Sequence, residues 1–495
     1  PPLPPNSKNI TNCKNITKTV KTEKNTPNLA DSKPVKIVKT PNGQTICKPA
    51  YPLTQLDKLL IEKIQIQGKN SSKREFIKKR IPIQKGDLIS PDDLRFKKAR
   101  VILLALGIFK EVNFSLKKGS ERGKVILIIE LIERGTLIVT HIFGGSSRIV
   151  PFWLGLGMEE KNFLGRAITL GFTGVITAKA NIMGGENQGA FETYVYTPET
   201  FSVPISSSLS YSKSSEFYRT YGAGDDSNPN NFLPLNYHKT RFKVSTFFPI
   251  KKFFFHLGLE ESILFADLPS ERIRHFEDGT SRNVNFNLKD GLSYLGAINL
   301  NLVYDSRDKL IMPRSGTKAV LKVRMAASDL LSNYSFFKTE LEIKKYLSWK
   351  KHTLSFNLFG GMVIGSPPIF EKYFIGDLPS LIPKRPLGLN LSVASSPNFL
   401  NNNIGEQRWG KTAFKAGIRY DYTFMQGKGF VYKGNFFASS GIFTLFSPVQ
   451  MQFRDKDNLW QSTPVDLSFD FGIIFDTRIG IFTFSISNIL GRLPI

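Results

Sequence analysis

The residue types best suited to metal binding or nucleophilic attack are few and scattered in this sequence. No H-E-x-x-H or C-x-x-C motif is present to hold zinc, and the histidines stand far apart. They are His141, His238, His256, His275 and His352. No Gly-x-Ser-x-Gly elbow occurs before the strand-rich region, and the Gly144–Gly145 pair has no lysine after it to bind phosphate. The sequence therefore predicts no enzyme activity, no metal site and no cofactor.

Charge is strongly unbalanced, with 67 Lys and Arg against 41 Asp and Glu and a formal net charge of +26. Such a balance indicates anionic partners, either nucleic acid or acidic lipid headgroups. No compact basic block appears after about residue 120, so the positive charge is distributed along the chain. This distribution favours a membrane surface, and we expect no nucleic acid partner.

Aromatic residues are abundant, whereas long apolar runs are absent. The chain has 41 Phe and 15 Tyr. Its longest clean apolar run, residues 101–109, is far shorter than the roughly 20 residues of a membrane-spanning helix. Strands of a closed barrel need only about 10 alternating residues each. The composition therefore excludes spanning by helices and leaves spanning by a β-barrel open.

From residue 136 onward the chain alternates large apolar and polar residues with a period of two. In one segment Phe337, Thr339, Leu341 and Ile343 alternate with Lys338, Glu340, Glu342 and Lys344. About fifteen such segments follow one another with no predicted helix between them, as in a barrel with an apolar exterior and a polar lumen. The pattern predicts a mainly β fold, a transmembrane antiparallel β-barrel of about sixteen strands over 136–495. A soluble β protein is the alternative.

Two segments precede the barrel. Residues 1–58 are polar and rich in Lys, Asn, Thr and Pro, so we expect a flexible arm. Its two cysteines, Cys13 and Cys47, form no pattern, so a disulfide and two free thiols both remain open. Residues 59–135 predict a small α+β domain of the order β-α-α-β-β, with Ser90 as the N-cap of its second helix and Pro91 at the first helical position.

The order of these parts resembles the BamA-like superfamily of outer-membrane protein assembly barrels, in which POTRA domains precede a surface-antigen-type barrel. The superfamily includes the bacterial BamA and TamA barrels and the mitochondrial sorting-and-assembly barrel. In the small domain the resemblance rests on the glycines near element ends and on the segment 104–112. The matching residues are Gly68, Gly86, Asp87, Gly107 and Phe109.

Two barrel segments carry the same resemblance. Residues 162–166, with the sequence NFLGR, resemble the turn after the second barrel strand. A later segment resembles the hairpin that this family places on the periplasmic side of the membrane. Its matching residues are Asp305, Arg307, Asp308, Pro313 and Gly316.

The family also carries a long loop that enters the barrel lumen and ends in an Arg-Gly-aromatic tip. The matching segment here is 374–412, with Gly376, Arg385 and Gly388 at the expected positions. Pro386 and Leu387 replace the glycine and the aromatic residue of the tip. The resemblance implies that Arg385 pairs with acids on nearby strands. The candidates are Asp421 and the position of Ser439, where an acid is usual in the family.

The end of the chain departs from the family pattern. Residues 465–476 correspond to the fourteenth strand and residues 480–487 to the fifteenth, after which the chain stops. An open edge would leave unpaired backbone groups in lipid. Either the sequence lacks one strand or this strand count is displaced by one.

The resemblance implies an outer-membrane insertase that assembles β-barrel precursors through a lateral seam without a nucleotide. Its partners would be unfolded β-barrel precursor proteins, the lipid bilayer and accessory assembly subunits. The alternatives are a secretion pore of the two-partner type and a plain porin. Secretion pores of that type carry two POTRA modules, whereas one is visible here, and a porin needs no POTRA domain. A bacterial outer membrane is favoured over the mitochondrial outer membrane, which the single POTRA module and the basic composition would also suit.

Overall fold

The structure is a computed structural model, and it divides the chain into two compact units. One unit comprises residues 1–69, 77–105 and 111–132, and the other comprises 70–76, 106–110 and 133–495. The residues that the structure describes are 35–39, 45–49, 58–68, 72–147, 149–181, 185–200, 203–220, 228–250, 252–275, 279–309, 312–376, 386–391, 399–400, 404, 409–427, 429–446, 464–477 and 480–487.

The N-terminal arm contains one element that the sequence did not predict. Strands β1 (Val35–Lys39) and β2 (Thr45–Pro49) pair as an antiparallel hairpin. The sequence carries little signal for this hairpin, because each strand is only five residues long and the arm around them is polar. Cys13 lies outside the described residues, so a disulfide with Cys47 and two free thiols both remain open.

The small domain has a four-stranded sheet in the order β4-β3-β6-β5. Its strands are β3 (Leu59–Gln67), β4 (Leu88–Ile89), β5 (Phe109–Lys118) and β6 (Lys124–Glu133), and its helices are Arg74–Arg80 and Leu94–Ala105. Its core consists of aliphatic side chains from these elements, including Ile61, Ile77, Leu103, Leu127 and Ile129. The order is therefore β-α-β-α-β-β, because the two-residue strand β4 separates the helices.

The second helix begins later than the sequence indicated. Ser90 and Pro91 lie in a preceding turn, and the helix starts at Leu94. Asp93 caps it, since its Oδ1 accepts a hydrogen bond from the Arg95 backbone N–H at 2.9 Å. The prediction of Ser90 as the N-cap was therefore wrong. Ser and Asp are both favoured at N-caps, and Asp93 is the one whose side chain reaches a free backbone N–H of the helix.

Fifteen antiparallel strands form the barrel sheet, in chain order from β7 at one end to β25 at the other. They are β7 (Leu137–Gly145), β8 (Trp153–Phe163), β9 (Ile168–Thr177), β10 (Gly189–Thr200), β11 (Val203–Arg219), β12 (Phe232–Ile250), β13 (Phe253–Asp267), β16 (Gly291–Asp305), β17 (Gly316–Ala326), β18 (Phe336–Trp349), β19 (His352–Gly365), β22 (Thr412–Gln426), β23 (Val431–Phe446), β24 (Val465–Thr477) and β25 (Gly480–Ser487). About sixteen were expected, and residues 488–495 lie outside the described part of the chain.

Two short hairpins stand outside this sheet. Strands β14 (Ile273–His275) and β15 (Ser281–Asn283) pair with each other in the connection between β13 and β16. Strands β20 (Tyr373–Phe374) and β21 (Trp409–Gly410) pair at the base of the connection between β19 and β22.

The strands alternate as the sequence predicted, with apolar side chains outward and polar side chains inward. On β17, Leu321 and Met325 are exposed, whereas Lys322 and Arg324 point to the opposite face and form ion pairs there. A lipid-facing exterior explains why large apolar side chains are exposed on strand after strand. Among the described residues, no helix has the length and apolar character needed to cross a membrane.

The two ends of the barrel differ in the length of their connections. Seven turns of two to ten residues, at 164–167, 201–202, 251–252, 306–315, 350–351, 427–430 and 478–479, join strands at what we call the short-turn end. Longer connections, at 146–152, 178–188, 220–231, 268–290, 327–335, 366–411 and 447–464, lie at the long-loop end. One of these, the lumenal loop 366–411, enters the barrel.

Candidate functional site

The lumenal loop is held inside the barrel by buried contacts with several strands. Its described side chains are largely buried, among them Ile369, Phe370, Tyr373, Leu389 and Leu391. They belong to buried clusters that also contain residues of strands far apart in the sheet. One cluster includes Leu235 and Phe443, and the other includes Trp153 and Phe217. The loop therefore packs as a core element of the barrel at three anchor points, which differ in chemistry.

The first anchor is an ion cluster at the base of the loop. Arg324 on β17 donates from Nη1 to Glu260 Oε2 at 2.9 Å and from Nη2 to Glu260 Oε1 at 3.0 Å. Its Nε lies 3.3 Å from Oε1 of Glu371, a buried residue of the loop. Asn299, which is paired with Arg324 across the sheet, accepts from Arg324 Nη1 at 2.8 Å. One guanidinium thus joins the wall strands β13 and β16 to the loop.

Lysines complete the cluster from the neighbouring strands. Lys338 Nζ on β18 donates to the Glu371 carbonyl at 2.9 Å and lies 3.6 Å from its carboxylate. The Lys239 ammonium on β12 lies 5.0 Å from the Phe370 ring centroid, a cation–π distance. Phe370 and Glu371 are therefore held by cations on three strands. Such a network favours one loop position, because displacing Glu371 would separate its buried carboxylate from both Arg324 and Lys338.

The second anchor is a buried amide–carboxylate contact. Asn390 Nδ2 donates to Glu216 Oε2 on β11 at 2.8 Å, and both residues are buried. Tyr237 Oη donates to the other carboxylate oxygen of Glu216 at 3.2 Å, and Gln188 Nε2 donates to the Asn390 carbonyl at 3.4 Å. A glutamate buried in a barrel wall needs such donors, and the loop supplies one of them.

The third anchor lies on the opposite part of the sheet. The backbone N–H groups of Phe399 and Leu400 donate to Asp466 Oδ2 and Oδ1 at 3.0 and 3.1 Å. Asp466 is a buried residue of β24. The loop is thus attached to β11 through its 390 region and to β24 through its 399–400 region, so it crosses the lumen.

A cavity of about 820 Å³ remains beside the loop base. Most of the residues that line it have polar or charged side chains, and the cations among them outnumber the acids. The cations are Lys239, Arg241, Lys322, Lys338, Lys344, Lys372, Lys415 and Arg419, and the acids are Glu340, Glu342, Glu371, Asp421 and Asp470. Within the described part of the chain, no group of His, Cys, Asp and Glu side chains is arranged to hold a metal ion.

The predicted partners of the loop tip have other contacts. Asp421 accepts two hydrogen bonds from Arg419, at 2.9 Å each, on the same strand. Ser439 Oγ donates to Asp470 Oδ2 at 3.0 Å on the next strand, so an acid stands one strand away from its expected position. Arg385 lies outside the described residues. Gly376 follows the buried Ile375, and Gly388 lies in the short helical turn Pro386–Gly388 beside Ser212.

The hairpin motif forms a compact turn between β16 and β17. Arg307 Nη2 donates to Asp305 Oδ2 at 2.6 Å, and Asp308 Oδ1 accepts from the backbone N–H groups of Arg314 and Ser315 at 2.8 and 3.1 Å. Gly316 has φ +99°, and a Cβ there would lie 2.2 Å from the Ser306 carbonyl oxygen. A side chain at this position is therefore excluded by both backbone conformation and space. Pro313 precedes Arg314 and lines the cavity.

The small-domain motif residues lie at element boundaries. Gly68 ends β3 with φ +121°, and its Cβ would lie 2.3 Å from the Leu131 carbonyl oxygen. Asp87 pairs with Arg95 at 3.0 Å, and Phe109 is fully buried. Gly86 and Gly107 lie in the connections before β4 and before β5.

Sequence reasoning missed the main ion cluster. It contains Glu260, Arg324 and Glu371, which are 64 and 47 residues apart in sequence numbering. The available signal was the lumen-facing position of Arg324, two residues after Lys322 on an alternating strand. Its partners depend on the strand register, which alternation alone does not supply.

Comparison with known proteins gives the family. A family model described as the Omp85 superfamily domain matches residues 162–441, which is more than half of the chain. The chain belongs to the Omp85 superfamily. A second model, the POTRA domain described as a surface antigen variable number repeat, matches residues 59–134. No curated protein sequence matches the chain.

Two solved structures show the same fold. BamA from Haemophilus ducreyi lacking POTRA domains 1–3 is 14% identical, with a TM-score of 0.62 over 92% of this chain and 85% of that one. CdiB from Escherichia coli is 11% identical, with a TM-score of 0.53 over 87% of this chain and 72% of that one. The Omp85 chain described here is therefore an outer-membrane β-barrel protein with a POTRA domain, and the expected superfamily, fold and location are confirmed.

Proposed function

We propose that this Omp85 protein is an insertase that assembles β-barrel precursors into a bacterial outer membrane through a seam between β7 and β25. The observation that supports it is the missing pairing between these two end strands. They are neighbours, with Cα atoms within 8 Å of each other. In the described part of the chain, however, β7 is hydrogen-bonded to β8 and β25 to β24, and the two are not paired with each other. No nucleotide or catalytic step is required, because folding of the client supplies the driving force.

The end strands are short compared with the strands opposite them. β7 has 9 residues and the described part of β25 has 8, whereas β11 pairs with β12 continuously over its residues 205–219. β7 also carries a bulge between Val139 and His141. A short, irregular strand offers few hydrogen bonds to its neighbour, so opening such a seam costs less than opening any interior pair. An opened edge provides a template on which an incoming strand adds by β-augmentation.

The POTRA domain supplies a second edge for clients. β5 stands at the margin of its four-stranded sheet and pairs with β6 alone in the described strand order. The segment 111–116 on this strand is the part that we assign to holding unfolded precursors by strand addition. Accessory assembly subunits are further partners in this proposal.

The lumenal loop and its tip belong to the same proposal. A loop anchored to β11 and β24 holds the wall in one shape while the seam opens. Arg385, with Gly376 and Gly388, is assigned to the loop tip, and Asp421 and Ser439 line the lumen as its candidate partners. Replacing Arg385 with Ala is expected to impair client assembly, whereas Lys384→Ala serves as the control for lost charge.

The deciding experiment traps a client strand at the seam. In a background with Cys13 and Cys47 replaced by Ser, a cysteine at Thr140 on β7 is oxidised against cysteines in a stalled precursor. A matched cysteine at Leu209, an exposed residue within the continuous β11–β12 pair, is the control. We expect a crosslink from Thr140 and none from Leu209. An absent crosslink with ion conductance intact would favour a secretion pore or a porin instead.

A further inference from the structure

The short-turn end of the barrel is strongly cationic. Its seven turns contain ten basic residues and a single acid, Asp308. The basic residues are Arg166, Lys251, Lys252, Arg307, Lys309, Arg314, Lys350, Lys351, Lys428 and Arg478. The seven connections of the long-loop end contain thirteen basic and thirteen acidic residues, so that end is neutral. The two ends of one barrel therefore differ in charge by nine.

The basic residues that the structure describes on these turns are available to an external partner. Arg166, Lys252, Lys309, Lys350 and Lys351 are exposed. None of these five side chains forms an ion pair with another described residue. The single acid, Asp308, offsets only one of the ten positive charges, and its carboxylate accepts hydrogen bonds from the backbone of its own hairpin.

Exposed aromatic side chains lie beside these cations. Phe253 follows Lys252 directly, Trp349 precedes Lys350, and Phe430 lies in the turn after β22; they are 41%, 50% and 55% exposed. Aromatic side chains of this kind mark the depth of the lipid headgroups in membrane proteins. The cations of the turns therefore lie at the level where phosphate groups of the bilayer are found.

We propose that the short-turn end binds anionic phospholipid headgroups in the membrane leaflet that surrounds it. Described basic residues lie on four of the seven turns, from the turn after β8 to the turn after β18, and in the sequence Lys428 and Arg478 fall in two more. The charge is therefore distributed as a ring around the barrel. A ring matches a lipid leaflet, which contacts the barrel on every side, whereas a protein partner would meet a patch on one side. The attraction is electrostatic and requires no pocket for a single lipid.

Trp349 provides a local probe for the test. Trp153 and Trp409 are buried, and Trp460, outside the described residues, is replaced by Phe. The full chain is reconstituted in vesicles of neutral phosphatidylcholine mixed with phosphatidylglycerol, with one lipid at a time brominated on its acyl chains near the headgroup. Quenching of Trp349 then measures which lipid occupies the positions beside Lys350 and Lys351.

We expect phosphatidylglycerol to be favoured by about fivefold at low ionic strength, and the preference to decline in ~1 M salt, where charges are screened within about 3 Å. The triple variant Lys252→Gln, Lys350→Gln, Lys351→Gln should bring the ratio close to one. The matched control, Lys179→Gln, Arg282→Gln, Lys289→Gln, removes three exposed cations from the long-loop end and should leave the ratio unchanged. Equal quenching by the two lipids in the unmodified chain, or an equal loss in the control, would overturn the proposal.

Discussion

Arg324 is the residue on which the buried charges of the lumen converge. Its side chain contacts Glu260 and Glu371, and the Glu260 side chain is only 4% exposed. Arg324→Gln leaves both carboxylates without their guanidinium partner, so we expect the folded barrel to lose about 3–5 kcal/mol of stability. Urea unfolding of the protein in lipid vesicles, followed by the gel mobility of the folded form, measures this loss.

Two variants separate the ion cluster from a general effect of lost charge. Arg419→Gln removes a guanidinium whose partner, Asp421, lies two residues away on the same strand, so a much smaller loss is expected. Glu260→Gln combined with Arg324→Gln removes both charges of the bidentate pair and should recover part of the stability. If Arg324→Gln unfolds at the same urea concentration as the unmodified chain, the cluster does not stabilise the barrel.

Asp93 gives the POTRA domain a predictable dependence on pH. Hydrogen bonds from the Arg95 side chain and backbone hold the pKa of Asp93 below its usual value. A lowered folded-state pKa means that the stabilisation is complete above the unfolded pKa, ~4, and is lost as pH falls through the folded value. Hydrogen exchange in the helix Leu94–Ala105 should therefore accelerate in Asp93→Asn at neutral pH, and the difference from the unmodified chain should shrink below about pH 4. Asp92→Asn, an exposed neighbour, is the control.

Single residues were the least predictable part of the site from sequence. Alternation places Asp421 and Ser439 in the lumen, but their partners, Arg419 and Asp470, depend on which rotamers and neighbouring positions are available. Glu371 gave no signal at all, because it lies in a loop without periodicity and its ion-pair partners, Arg324 and Lys338, lie on the distant strands β17 and β18. A resemblance supplies family positions, whereas pair contacts require the register of distant strands.

At the scale of elements, period-two patterning identified the strands, and turn chemistry was less reliable. The expected first barrel strand near residues 136–146 is β7, and the expected fourteenth and fifteenth strands are β24 and β25. The second POTRA helix was placed too early, because Ser90-Pro91 and Asp93 are competing start signals within four residues. The prediction of long strands is reliable because many residues contribute to the same period, whereas the prediction of a helix cap depends on one side chain.

The lumenal loop behaves as an element whose position depends on its anchors. Asp466→Ala removes the acceptor of the Phe399 and Leu400 N–H groups, and hydrogen bonds to a charged acceptor contribute about 1.5–3 kcal/mol. We therefore expect hydrogen exchange of these two amides to accelerate by at least about tenfold. Asp470→Ala, on the same strand but bonded to Ser439, is the matched control. Unchanged exchange in Asp466→Ala would mean that the loop is held without this anchor.

At the scale of the whole molecule, the proposed insertase requires that β7 and β25 separate while every interior pair stays closed. Disulfides from cysteine pairs scanned along these two strands, in the background without Cys13 and Cys47, should stop assembly of a β-barrel client in vesicles. Reduction should restore it. Cysteines at Leu209 and Phe242, which face each other on β11 and β12, close an interior pair and should leave the rate unchanged. A client that assembles at the normal rate beside a locked seam would exclude lateral opening, although the lumen and its anchored loop would remain as a route for polypeptide or solute.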